Sequence, residues 1–121
     1  MADGDKEKSE EFALRIINLY KYLAEEHKEY VLSKQVLRSG TSIGANLAEA
    51  ECAISRKDFT SKVYIALKEC SETRFWLRLL YKSGYLDKKS FDSIYSDSEE
   101  LIRMLSASTK TLTEGRHEGI D

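Results

Sequence analysis

Three cations recur one helical turn apart in this chain: Arg74, Arg78 and Lys82. At about 3.6 residues per turn, that spacing puts all three on one face of a helix. The chemistry open to such a face is phosphate binding. A guanidinium offers a planar fork of N–H donors, and an ammonium adds a point charge. If the preceding helix is antiparallel and the chain turns at Ser55, residues whose numbers sum to about 110 face each other in the bundle. Lys34 and Arg38 then reach the same pole. Five cations converge there, with Glu72 as a partial offset and Lys28, Lys88 and Lys89 in the loops. Lys34, Arg38, Arg74, Arg78 and Lys82 are therefore the candidate nucleic-acid-binding residues; the plainer alternative is a solvated face. Phe75 and Trp76 lie between the arginines, where rings can stack on bases. For Trp76 the preferred reading is a core or interface anchor.

Other constellations point away from catalysis. Asn46 and Glu49 are polar residues set among small and apolar ones. The same pairing places Glu49 near Lys62, Ser42 near Lys68 and Arg38 near Glu72, so Asn46, Glu49 and Lys62 read as structural polar pairs rather than a ligand site. Carboxylate-bridged metal bundles need Glu-x-x-His on two helices. This chain has one copy, Glu114 to His117, in a glycine-containing tail. Glu69 and Glu72 lack a companion histidine, and His27 falls in a predicted loop. Cys52 and Cys70 come out on the order of 18 Å apart at 1.5 Å per residue, too far for a disulfide. Neither has a base placed beside it, and the chain contains no phosphate loop or dinucleotide fingerprint. The expectation is a protein with no catalytic residues, no metal and no cofactor.

The elements that must carry these residues are helices. The chain has 121 residues, 41% of them hydrophobic, enough for one domain with a real core. It contains no proline, which helical folds tolerate better than loop-rich β folds. The longest unbroken apolar run, Val63 to Leu67, is far short of a membrane span. The charged start MADGDKEKSEE lacks a signal-peptide core, so a cytoplasmic protein with no membrane role is expected. Net charge is −2. Two lysines and five acids occupy residues 1–11, and Arg116 with three acids occupies 114–121. The body, 12–113, carries 16 basic and 13 acidic groups, a net of +3. The reading is an acidic flexible N-terminal tail (1–11), a bundle domain (12–113) and a flexible C-terminal tail (114–121).

Four helical segments follow from apolar periodicity. The first is predicted from about Ser9, as N-cap, to Glu26, through Phe12, Ile16, Leu19 and Leu23. The second runs from near Ser33 to about Ala53, through Val36, Ile43 and Leu47. The third starts at Ser55, whose S-x-x-D pattern with Asp58 is a variant capping box, and ends before Gly84. The fourth is capped by Asp87 or Ser90 and runs to about Thr113. The third is expected to be the longest. Short links make an all-α, antiparallel up-and-down four-helix bundle.

One stretch in the second helix, RSGTSIGANLAEA from Arg38 to Ala50, is dominated by small residues. Glycine inside a helix costs about 1 kcal/mol relative to alanine, and close helix contact is the usual return. Ser39, Gly40, Ile43, Gly44 and Leu47 are read as a packing face, either inside the bundle or between subunits.

SKQVL (Ser33 to Leu37), RSGTSIGANLAEA, SRKDF (Ser55 to Phe59) and GYL (Gly84 to Leu86) together resemble the bacterial four-helix-bundle proteins of the ribosomal-RNA intervening-sequence family. The most specific element is S-I-x-x-N-[IL]-A-E-[GA], here Ser42 to Ala50; many members carry Pro where this chain has Gly44. A relative of that family is the accessory protein of diversity-generating retroelements, which binds nucleic acid beside a reverse transcriptase. The resemblance implies a homopentamer around a central channel and no catalysis. The function expected is a non-catalytic, homo-oligomeric accessory protein binding RNA or DNA. The alternative is an assembly or adaptor module whose partner is another protein, such as a reverse transcriptase.

Overall fold

The computed structural model describes residues 3–118 and the side chains of 4–113; residues 119–121 and the side chains of Glu114, Arg116 and His117 lie outside it. Four helices follow in order: α1 (Asp3–His27), α2 (Leu32–Ala50), α3 (Arg56–Lys82) and α4 (Lys88–Glu118). Each packs on its chain neighbours, and α4 closes the bundle on α1 through its weakest seam. The core runs along the axis through Phe12, Ile16, Leu23, Val36, Ile43, Leu47, Val63, Leu77, Leu80, Leu101 and Leu105, all essentially inaccessible to solvent. These are the periodic apolar positions of the sequence, and their burial supplies the main stabilising term.

The first helix begins at Asp3 rather than Ser9, so residues 3–11 belong to α1 and not to a tail. Ser9 is a buried interior position whose hydroxyl donates to the Lys6 carbonyl at 2.8 Å. One turn earlier, Asp5 is also buried and accepts a hydrogen bond from Ser108 of α4 at 2.7 Å. Lys8 holds Asp97 and Glu100 of α4. These long-range contacts fix the acidic stretch in helical form. The longest helix is α4, at 31 residues, not α3, at 27.

The three turns use different devices. Between α1 and α2, Lys28 takes a left-handed conformation (φ +53°), and the Glu29 N–H returns to the Leu23 carbonyl at 3.0 Å. Glu29 then caps α2 from outside: its carboxylate accepts from the backbone N–H groups of Val31, Leu32 and Ser33 at 2.7–3.0 Å. Burial pushes this carboxyl up, but those donors outweigh it and hold it below the ordinary value. α2 stops at Ala50, short of Ala53, because the next amides bond three residues back, Cys52 to Glu49 and Ala53 to Ala50. Ser55 caps α3 by accepting from the Asp58 N–H at 3.0 Å. Gly84 (φ +90°) ends α3 as expected, and Asp87, not Ser90, caps α4, accepting from the Ser90 N–H at 2.7 Å.

Candidate nucleic-acid interface

Arg74 and Arg78 sit one turn apart on the flank of α3 that meets α4. Both donate to the same atom, the phenol oxygen of Tyr95: Arg74 Nη2 at 3.1 Å and Arg78 Nη1 at 3.0 Å. The Arg74 guanidinium carbon also lies 5.1 Å from the centre of the Tyr95 ring, a cation–π distance. Tyr95 is held in turn by stacking. Its ring packs on Phe91 at 4.9 Å, and Phe91 packs on Tyr81 at 4.5 Å, with interplanar angles of 24° and 14°. The i, i+4 spacing of Phe91 and Tyr95 on α4 builds this ladder across the α3–α4 seam. Among the described residues no carboxylate lies within ion-pair distance of either guanidinium, and Arg74 Nε is buried without a partner.

Two of the other three cations, Lys34 and Arg38, are placed elsewhere, on α2. Arg38 reaches α3 on its opposite flank, where it pairs with Glu69 at 3.3 Å and with Glu72. Trp76 also donates to Glu72, at 2.9 Å. Positions 72 and 74 are about 160° apart around a helix at 3.6 residues per turn. The expected convergence of five cations at one pole therefore does not occur. Arg38 is neutralised by two carboxylates beside α2, while Arg74 and Arg78 face α4. Lys34 is exposed one turn before Arg38 on α2, and Lys82 is exposed one turn beyond Arg78, in the last turn of α3. Trp76 is half-buried against the core, whereas its neighbour Phe75 remains 44% exposed.

The small-residue stretch is spent inside the chain. A Cβ at Gly40 would stand 2.8 Å from both γ-carbons of Ile16 on α1. One at Gly44 would stand 3.3 Å from Ser9 Oγ and 3.7 Å from its carbonyl oxygen. Ile43 and Leu47 are core, and the buried Ser39 hydroxyl is hydrogen-bonded to that of Thr73 on α3 at 2.9 Å. Thr41, Ala45 and Ala48 are left on the outer side of α2, bordering a shallow groove of about 310 Å³ against α1.

Of the three residues read as polar pairs, two meet. Lys62 donates to Glu49 at 3.0 Å, and that hydrogen bond, with the Glu49 charge, raises the lysine above its ordinary pKa. Asn46 does not join them; its amide donates to the Ser42 carbonyl on its own helix at 2.8 Å. Cys52 is exposed. Cys70 is buried against the Ser98 carbonyl, and burial pushes its thiol up to about 12. Among the described residues, no group of three or more His, Cys, Asp and Glu side chains is placed to hold a metal ion. No described helix is long and apolar enough to cross a membrane.

Two features were missed in the sequence. Tyr95 carries no signal of its own in the sequence beyond helical spacing from Phe91, yet a turn at Gly84–Tyr85 puts it at the height of Arg74 and Arg78. The second is a cleft of about 440 Å³ between α1 and α4, bounded by Asn18, Tyr22, Tyr85, Asp87 and Ser90. Arg15 lies at its edge and is held by Asp97 at 2.6 Å and Ser93 at 3.1 Å.

Residues 6–107 match the model of the 23S rRNA-intervening sequence protein family. The chain is also similar to a solved structure from Bacteroides thetaiotaomicron, described as a protein of unknown function from the S23 ribosomal protein family. The two are 55% identical, the match covers 88% of this chain and 98% of that one, and the TM-score is 0.86. No curated protein matches the sequence.

Proposed function

Given that the chain belongs to the 23S rRNA-intervening sequence protein family, we propose that it is a non-catalytic cytoplasmic accessory protein that binds RNA or DNA. In this reading it works as a ring of identical subunits, most simply five, each presenting Arg74, Arg78 and Lys82 to phosphates. One observation carries the proposal. Two guanidiniums are held side by side with no carboxylate among the described residues to neutralise them, their common partner being an uncharged phenol. Surface arginines more often pair with acids, as Arg38 does here with Glu69 and Glu72. A cation pair left without counter-charge is what an external anion requires. Lys82 extends the charge along the same helix, while Lys34 and the neutralised Arg38 contribute less.

Salt dependence tests the proposal. Three phosphates neutralised per subunit should weaken binding about 20- to 40-fold between 50 and 200 mM salt, through counterion release. Fluorescence anisotropy of a labelled structured RNA against the purified protein reads this directly. No saturable binding at 50 mM salt sinks the proposal. The exposed Phe75 ring, edge-on to Trp76 at 5.1 Å, is the observation on the side of a protein partner instead. Binding there would change little with salt.

A further inference from the structure

We infer that Arg74, Arg78 and the Tyr95 hydroxyl form a seat for one terminal phosphate monoester, the phosphorylated end of a strand rather than an internal linkage. The inference rests on the nucleic-acid reading of this flank and narrows it to one chemical group.

Hydrogen-bond accounting at Tyr95 comes first. A phenol oxygen has two lone pairs and one proton. Both lone pairs face guanidinium donors, at 3.1 and 3.0 Å. The proton is therefore left for an acceptor, and no described residue supplies one. The two arginines are likewise under-used. Each guanidinium has five N–H donors, of which the Tyr95 oxygen takes one, and neither side chain meets a carboxylate among the described residues. The site thus offers donors of one kind around one point, and among the described residues no carboxylate comes within ion-pair distance of either guanidinium.

Geometry selects the kind of anion. Two nitrogens each bonded to the same oxygen, at 3.1 and 3.0 Å, lie no more than about 6 Å apart. Two positive charges so focused match a group carrying close to two negative charges. A phosphate monoester meets that condition, since its second pKa is about 6. An internal phosphodiester carries a single charge, and its neighbours are strung along the backbone, so it is better served by spaced cations such as Lys82. The Tyr81–Phe91–Tyr95 stack fixes the phenol, and the ring beneath Arg74 fixes the first guanidinium. Little side-chain freedom remains to be lost on binding.

The test compares one short single-stranded oligoribonucleotide, labelled at its 3′ end, with a 5′-phosphate and with a 5′-hydroxyl. Both are titrated by anisotropy into the full-chain protein at about 50 mM salt. The 5′-phosphate should tighten binding by about tenfold, the scale of one or two charge-assisted hydrogen bonds. Inorganic phosphate should compete more strongly against the phosphorylated form than against the hydroxyl form. Tyr95→Phe keeps the ring stack and removes the hydroxyl; it should cut the ratio of 5′-phosphate to 5′-hydroxyl affinity several-fold. Equal affinity for the two forms overturns the seat and leaves the nucleic-acid reading standing. Failure of both forms to bind overturns both. The decisive comparison uses the unaltered protein, so it holds even if a variant folds poorly.

Discussion

Gly40 and Gly44 are alike in sequence, one turn apart on the same helix, yet replacing each with alanine should move stability in opposite directions. Alanine gains about 1 kcal/mol over glycine within a helix. At Gly40 the new methyl would sit 2.8 Å from Cγ1 and Cγ2 of Ile16 and 3.2 Å from its Cβ. Both γ-carbons branch directly from that Cβ, and Ile16 is completely buried, so no rotamer removes the clash and α1 must move away from α2. Overpacking of this kind costs about 1–3 kcal/mol. With no flexible atom to give way, the upper part of that range applies, and Gly40→Ala should lose about 1–2 kcal/mol net of the propensity gain. At Gly44 the nearest atom is the Ser9 hydroxyl at 3.3 Å, a group that rotates, so most of the propensity gain should survive. The two variants should then differ by about 2 kcal/mol, or roughly 1 M in urea midpoint for a domain of this size. Far-UV circular dichroism during urea unfolding measures this, with every variant at one protein concentration because self-association would shift the midpoints. Ile16→Ala alone should cost about 2–5 kcal/mol through the cavity it leaves. Combined with Gly40→Ala it should cost about 1–2 kcal/mol less than the sum, because the new methyl partly fills that cavity. Equal midpoints for the two glycine variants, or strict additivity of the double variant, would refute close α1–α2 contact at Gly40 as the reason for the glycine.

Three further outcomes are expected. A chromogenic thiol reagent should label one cysteine quickly, the exposed Cys52, and reach Cys70 only on unfolding; two equal rates would contradict the burial of Cys70. Glu29→Ala should cost about 1–2 kcal/mol at neutral pH, as losses of N-terminal caps do. Because the Glu29 pKa is held below its ordinary value, its contribution is present above that ordinary value and lost as pH falls through the depressed one. The gap between parent and variant in unfolding midpoint should therefore narrow as the pH is taken down below the ordinary carboxylate range, and a gap of constant size would refute the carboxylate's role. Gly84→Ala should cost about 1–2 kcal/mol because φ there is +90°, while Lys28→Gly should gain up to about 1 kcal/mol at φ +53°, both read from thermal melts.

Four helices, their order and the α2–α3 register could be read in advance because each rests on a local signal. Ser55 with Asp58 marks a helix start by side-chain chemistry, and Gly84 marks an end by backbone freedom. From the Ser55 turn alone, Glu49 falls beside Lys62 and Arg38 beside Glu72, and both contacts occur. The start of α1 was missed for the opposite reason. Ser9 has the right chemistry for a cap, but Asp5 and Lys8 are tied to α4 by residues about a hundred positions away, and no local pattern reports that. Glu29 was missed as a cap because it acts from outside the helix, reaching forward to residues 31–33 just after a left-handed lysine where glycine would be expected. The candidate site failed in one dimension and succeeded in another. Pairing numbers across a turn gives height along the bundle, and by height Arg38 and Arg74 are neighbours. It does not give the angle around the helix, and about 160° separates Glu72, the partner of Arg38, from Arg74.

The hydroxyl pair of Ser39 and Thr73, buried midway along α2 and α3, has a consequence for how many structures this sequence can adopt. Leucine and alanine surfaces interlock almost equally well if one helix slides past another by a turn of about 5.4 Å. A slide of that size here would part the two oxygens, now 2.9 Å apart, leaving each hydroxyl only the carbonyl one turn back on its own helix, Glu69 for Thr73 and Val36 for Ser39, and forfeiting an interhelical bond worth about 0.5–1.5 kcal/mol. The pair therefore favours the native register over one shifted by a turn by that single interhelical bond. Replacing both residues with alanine and valine should therefore leave the melting temperature nearly unchanged while broadening the core methyl resonances in solution.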